Sequence, residues 1–414
     1  MEDHERAMTI KEVAKFLNIS TQMVYNLMKG GKLHAFKIGA ANRIMYSDVL
    51  AFVQQQKEEF ARTLGENDDV DESMFVISQV SMQKGDFQLS DITFALPMGK
   101  IMTLLGPSGS GKTLLLKTIA GLEKMNNGMI FLGKTQLDLL APASRKLGFV
   151  FENYALFPHM TAKRNIEFPW LLQKKVSSNI QRNMKKVIAE ETNKRVQELN
   201  IDSSYLGRLP DQLPEGMKQL VAIARERNHE LELFLMDEPM TKLDAAQHVQ
   251  MRIFIRKIVR DLGKTTIITS NDPEDALVLS DYIGIMSEGK LLQFGETWEV
   301  YHRPVNLTVM EMTSRLAVNT ARVEVSDGRT HPYNLQAELE DGPYDLAFRP
   351  EEIELSAEGI PAKITFSQFF DGTRKLAFCK IGADVDVKVM IPVELEETVT
   401  FVPIHPQFFR AERT

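Results

Sequence analysis

The chain has 414 residues, a net charge of −7 and a hydrophobic fraction of 43%. That length allows several domains, and the acidic total excludes nucleic-acid or anionic-membrane binding by overall charge, so any such site is a local patch. A single cysteine, Cys379, excludes an intrachain disulfide and an all-cysteine zinc site, and no apolar run approaches the ~18 residues of a membrane helix.

The charged start, Met1 to Arg6, does not read as a secretory leader. The expectation is a cytoplasmic protein, peripheral at the inner face of the cell membrane if it serves a membrane partner, with no direct membrane insertion. Thr9-Ile10-Lys11-Glu12 has capping-box spacing. Ile10, Val13, Ala14 and Leu17 follow at the spacing of one helical face. A turn at Asn18-Ile19-Ser20 leads to a second helix through about Lys29, buried at Val24, Leu27 and Met28. Two short strands follow, Leu33 to Ile38 and Arg43 to Tyr46, turning at Gly39 to Asn42, and then a third helix. Lys11, Lys15, Lys29, Lys32, Lys37 and Arg43 face one acid, Glu12, between Met8 and Tyr46.

Met8 to Gln54 resembles the excisionase/MerR-like winged helix-turn-helix DNA-binding module. The resemblance implies that Thr21, Gln22, Tyr25, Asn26 and Lys29 face the major groove and that Asn42 and Arg43 sit on the wing. Because the same fold also docks on protein, that alternative stays open. Residues 1–60 form this domain, and 61–74, acidic and turn-rich around Thr63 to Ser73, form a linker.

An apolar strand, Ile101 to Leu105, runs into Gly106-Pro107-Ser108-Gly109-Ser110-Gly111-Lys112-Thr113. G-x-x-x-x-G-K-T between a strand and a helix is a phosphate-binding loop. Its glycines let several backbone N–H groups converge on one anion, and the helix from Lys112 to about Ala120 aims its positive end there. Lys112 can reach the terminal phosphates and the Thr113 hydroxyl can ligand Mg²⁺. Leu233 to Met236 is an apolar strand ending in Asp237 and Glu238. Asp237 suits Mg²⁺ and Glu238 suits polarising a water.

Residues 75–315 carry an ordered set: the phosphate loop, Val150 to Thr161, Leu213 to Met217, Leu233 to Pro239 and Thr265 to Asp272. The set resembles the ATP-binding cassette (ABC) ATPases, in the importer branch that serves maltose, polyamines and oxyanions. The resemblance implies an α/β P-loop domain with a helical subdomain, ATP and Mg²⁺ as cofactors, a dimer and a membrane permease partner. It makes Phe87 the candidate for stacking on adenine, with plain core packing as the alternative.

Three departures stand out. Glu152 takes the place of the family's phosphate-sensing glutamine, and a carboxylate still suits Mg²⁺. Asn271 takes the place of the switch histidine and cannot carry a proton. Leu213-Pro214-Glu215-Gly216-Met217 takes the place of Leu-Ser-Gly-Gly-Gln, the signature that in the family contacts the γ-phosphate held by the opposite subunit. Pro214 has neither hydroxyl nor N–H. Glu215 puts an anion where phosphate arrives, and at ~5 Å and an effective dielectric of ~20 a like-charge pair costs roughly 3 kcal/mol. Proline and glutamate nonetheless start helices well. The expectation is that Glu215 fills the anion site and that a homodimer hydrolyses ATP slowly or not at all, unless an orthodox ABC partner lends its signature in a heterodimer.

Alternating stretches between Ala321 and Val389, separated by Gly, Pro and Asp, predict a small OB-like β-barrel over 316–414. Phe348-Arg349-Pro350-Glu351-Glu352-Ile353 resembles the importer family's accessory barrel, with dimerisation preferred over ligand binding. The histidines offer no metal-binding constellation, and the eight are expected not to cluster. Three functions compete: an ATP-responsive transcription regulator, an import ATPase whose extra domain couples uptake to transcription, and a non-enzymatic scaffold.

Overall fold

The computed structural model describes residues 7–16, 24, 28, 33–38, 41–49, 73–171, 178–227, 231–333, 335–381, 385–395 and 398–410. It divides into two compact units, 1–294 and 295–414. The sequence-based boundary at 315/316 therefore falls inside the second unit. Among the described residues no helix is long and apolar enough to cross a membrane.

In the amino-terminal part, β1 (Ala7–Thr9) leads into α1 (Ile10–Phe16), and β2 (Phe36–Ile38) and β3 (Ala41–Met45) form a hairpin. The capping box forms as its spacing implies. Thr9 Oγ1 accepts the Glu12 N–H at 3.2 Å, and a Glu12 carboxylate oxygen accepts the Thr9 N–H at 2.8 Å. Val13, Val24, Ile44 and Val49 are fully buried together. Sequence does not announce β1, which pairs antiparallel with β3. The wing turn is tighter than expected: Asn42 lies in β3 opposite Lys37 rather than in the turn.

The cassette opens with β4 (Met74–Lys84) and β5 (Phe87–Pro97), then β6 (Ile101–Leu105) and α2 (Lys112–Ala120). β7 (Asn127–Leu132), β8 (Thr135–Gln136) and β9 (Leu147–Val150) precede three helices, α3 (Ala162–Leu171), α4 (Ser178–Glu198) and α5 (Glu215–Glu226). β10 (Leu233–Met236), α6 (Ala245–Leu262), β11 (Thr265–Ser270), α7 (Pro273–Leu279), β12 (Tyr282–Ser287) and β13 (Lys290–Glu296) complete it. One antiparallel sheet has the order β5-β4-β7-β8, and a six-stranded sheet has the order β13-β12-β6-β11-β10-β9. Strands β12, β6, β11, β10 and β9 are mutually parallel. Buried on both faces, β6 and β10 read as continuous apolar runs rather than alternating ones, whereas β11 is equally buried but rich in threonine. Phe75, Ile92, Leu104 and Leu115 belong to one apolar cluster, and Val150, Ile166, Val221 and Ile255 to a second that takes in the helices. Each such fully buried side chain contributes about 1.5–3 kcal/mol.

Among its described residues the second unit contains α8 (Thr297–His302), α9 (Leu307–Met312) and eight strands: β14 (Asn319–Ser326), β15 (Arg329–His331), β16 (Gly342–Phe348), β17 (Ile353–Phe369), β18 (Arg374–Ile381), β19 (Val385–Pro392), β20 (Thr398–Pro403) and β21 (Gln407–Arg410). They make two four-stranded sheets, β15-β14-β16-β21 and β19-β18-β17-β20, around one apolar core. Arg349, 1% exposed, ties the helices to the strands. Its guanidinium donates to Ser314 Oγ, Tyr301 O and Thr313 Oγ1 and lies 3.7 Å from the Tyr301 ring centroid. This contact accounts for the grouping of residues 295–315 with the β-rich part.

Candidate functional site

Strand β6 is buried along its whole length and delivers the chain at Leu105 into the loop. At Gly106 a Cβ would come within 2.1 Å of Met286 O, so no side chain fits. Gly111, at φ 102°, caps α2 in the left-handed region. Lys112 Nζ donates to Gly106 O at 2.8 Å and Pro107 O at 3.0 Å, and lies 3.6 Å from a Glu238 carboxylate oxygen. Burial pushes this ammonium below the usual lysine range, against the opposing pull of Glu238 and Asp237. Ser110 Oγ is buried without a hydrogen-bond partner. A buried hydroxyl so placed costs free energy unless something binds there. With the glycine bends and the lysine it fits a bound phosphate. Phe87 is half-buried, packs on the core beside β6 and approaches Gly111, whose added Cβ would meet its ring at 3.0 Å.

The two carboxylates follow β10. The Asp237 N–H donates to Val150 O at 2.9 Å, and Asp237 Oδ1 accepts from Thr113 Oγ1 at 2.8 Å and Thr269 Oγ1 at 2.9 Å. Thr269 Oγ1 also accepts the Glu238 N–H at 2.8 Å. Thr241 Oγ1 donates to Glu238 Oε2 at 3.1 Å. The structure thus brings Lys112, Thr113, Asp237 and Glu238 together, as their motifs imply, and adds Thr269, which sequence reasoning missed. Thr113 and Asp237 form a donor set that fits Mg²⁺ beside a phosphate. Glu152 is exposed on the loop after β9, and Asn271 is exposed one residue beyond β11.

At the signature, Leu213 is buried and Pro214 is the N-cap of α5, with no side-chain capping bond. Glu215 pairs with Lys218 at 2.6 Å and shares a hydrogen bond with buried Tyr154. The Lys218 ammonium holds this carboxyl below its usual range. Burial raises the Tyr154 phenol, and Glu215 adds to the rise.

The histidines need a correction. His248 Nε2 lies 2.9 Å from Asp275 Oδ1, and Asp272 completes a compact group with them. His302 and His405 also meet, with ring centroids 5.5 Å apart. Both groupings join residues far apart in sequence. In the first, Arg252 already donates to Asp275 and Glu274 at 2.8 Å each and to Asp272 at 3.1 Å. Burial alone would lower Arg252, but the bonds to Glu274 and Asp275 hold it above its usual value. Arg252 on α6 thus clamps three carboxylates of the segment that follows Asn271.

Of the residues expected to meet DNA, Thr21, Gln22, Tyr25, Asn26 and Lys29 lie outside the described residues. Asn42 and Arg43 are half-buried in β3, with Arg43 paired to Phe36 on one side and Thr9 on the other.

Two family descriptions match the chain: "ABC transporter" over residues 89–241 and "Helix-turn-helix domain" over residues 7–57. The sn-glycerol-3-phosphate import ATP-binding protein UgpC of Vibrio vulnificus is 32% identical over 342 residues, covering 80% of this chain and 89% of that protein. The sulfate/thiosulfate import ATP-binding protein CysA of Halalkalibacterium halodurans is 36% identical over 299 residues, covering 70% and 82%. The Fe(3+) ions import ATP-binding protein FbpC of Fusobacterium nucleatum is 33% identical over 315 residues, covering 72% and 81%. With a phosphate loop, paired carboxylates and relatives aligned over most of their length, the chain belongs to the import ATP-binding proteins of the ABC transporter family and carries a helix-turn-helix domain ahead of its cassette.

Proposed function

We propose that this protein is an ATP-responsive transcriptional regulator: nucleotide binding by a dimeric cassette sets the DNA-binding state of the helix-turn-helix head, and hydrolysis by the homodimer is slow or lost. The observation that carries this reading is at the start of α5. Pro214 offers no donor there, and Glu215 presents a carboxylate paired with Lys218 of its own chain. The helix is kept while its phosphate-recognising groups are gone. Binding is the better preserved half. Lys112 and the buried Ser110 hydroxyl hold the phosphates, and Thr113, Asp237 and Glu152 are the ligands for Mg²⁺, which when bound neutralises phosphate charge. Glu238 is placed to orient a water, but Asn271 cannot relay its proton.

A second reading is a working ATPase on the cytoplasmic face of an importer, whose extra domain couples uptake to transcription. The relatives' names favour it, as does the intact set of Lys112, Asp237 and Glu238. In that case a heterodimer with an orthodox cassette or a permease restores turnover. The relatives serve glycerol 3-phosphate, sulfate or thiosulfate, and Fe(3+), so they single out no solute.

Sheared genomic DNA is captured with the purified protein, with and without Mg-ATP, and again with Lys112→Ala. Specific fragments whose enrichment changes with ATP only when Lys112 is present support the regulator. Equal enrichment under all conditions uncouples the two ends and favours the importer. No enrichment makes the head a protein-docking module.

A further inference from the structure

Beside the altered signature lies a cavity of about 390 Å³ between the start of α5 and one face of α6. Small-molecule sites occupy about 300–1,000 Å³. Pro214 and Met217 stand where the signature resemblance expects serine and glutamine, and both line this cavity. At both positions the wall is apolar. Met251 and Phe254 of α6 face them, and the thioethers of Met217 and Met251 adapt readily to an occupant's shape.

The polar groups on the lining are all neutral: the carboxamides of Asn200, Gln247 and Gln250, and the Tyr205 phenol. Arg208 stacks on the Tyr205 ring at 4.5 Å but does not line the space. Glu215, between two lining residues in sequence, is held instead by Lys218 and Tyr154. A charged ligand would be desolvated here without a partner. An apolar body with a few hydrogen-bonding groups matches both the walls and the carboxamides.

We propose that this cavity binds a neutral, largely apolar small molecule carrying one or two hydrogen-bonding groups. The binding claim stands apart from the nucleotide chemistry. Its consequence, that an occupant biases the signature helix against α6 and so tunes dimer closure, rests on the regulatory reading above.

The test titrates the full-length protein with N-phenyl-1-naphthylamine, a neutral aromatic amine, and follows its fluorescence. Saturable binding of one probe per chain is expected. Gly216→Leu fills the space, because a Cβ there meets only Met251 Cε, at 3.8 Å. It also removes a helix glycine, so the unfolding midpoint should not fall. Probe affinity should drop at least ~tenfold, in proportion to the lost apolar contact. Gln250→Trp, at an exposed position on the lining, should weaken binding in the same direction without risk to folding. Lys112→Ala should bind the probe like the wild type, which separates this result from any failure of the nucleotide reading. Non-saturable binding, unchanged affinity in both filled variants, or equal affinity for the anionic 8-anilinonaphthalene-1-sulfonate would overturn the proposal.

Discussion

The Glu215 carboxylate lies 2.6 Å from the Lys218 ammonium in the first turn of α5. That acid is therefore partly neutralised by its own helix, and Tyr154 also shares a hydrogen bond with it. On the regulatory reading proposed above, repulsion of an arriving phosphate is weakened, while Pro214 offers no donor to it.

On the same reading, giving the start of α5 the family's donors should restore turnover. Pro214→Ser, Glu215→Gly and Met217→Gln combined with Asn271→His should raise the homodimer's steady-state ATPase by about 10²–10³, the usual effect of one oriented donor at a developing charge. A coupled phosphate-release assay reads this directly. No change would place the limit elsewhere than in the signature and switch.

Arg252 holds three carboxylates of the α7 segment. Arg252→Met should destabilise the cassette by about 2–3 kcal/mol, below the cost of a fully unpaired buried charge, because buried Asp275 loses its guanidinium but keeps His248 and the Ser270 hydroxyl. Urea unfolding followed by tryptophan fluorescence measures it. Arg252→Lys should fall between the two, since one ammonium cannot fork to three acids.

Glu351 Oε2 is buried without a hydrogen-bond partner, and burial holds this carboxyl above its ordinary value of 4.5. The folded state then binds the proton more tightly than the unfolded one. Stability contributed by the protonated form is present below pH 4.5 and is lost as pH rises through the elevated folded value. Glu351→Gln should raise the unfolding midpoint of residues 295–414 at pH 7.5 by a few °C, on the order expected for one buried group. At pH 4 the two proteins should melt alike. Calorimetry at the two pH values decides this.

Arg43 on the wing is a candidate phosphate contact. Arg43→Ala should weaken DNA binding across sequences and lower the slope of log affinity against log salt by about 1. A slope that stays the same would take Arg43 off the phosphate backbone.

Local signals were legible because they are contiguous. Thr9 and Glu12 bond across one turn. Gly111 and Gly121 bracket α2, and β10 ends at the paired acids. What escaped reading is set by pairing between distant segments. Thr269 reaches Asp237 only because β11 lies beside β10, with Ile268 opposite Met236. A threonine at the end of a buried strand gave no hint of that neighbour until the strand order was known. His248 meets Asp275 across the packing of α6 on α7, 27 positions apart. β1 is three residues long, too short for alternation to show.

The strand order β6-β11-β10-β9 has a consequence for how such a protein changes over time. Four adjacent strands end in the phosphate loop, Asn271, the Asp237–Glu238 pair and Glu152, each stepped by about 4.8 Å from the next. The sheet works like a comb whose backbone fixes the spacing and whose teeth are separately replaceable. One tooth can be changed while its neighbours keep their places. In a site built this way, a single substitution at a strand end alters one chemical group and leaves intact the sheet that positions the rest.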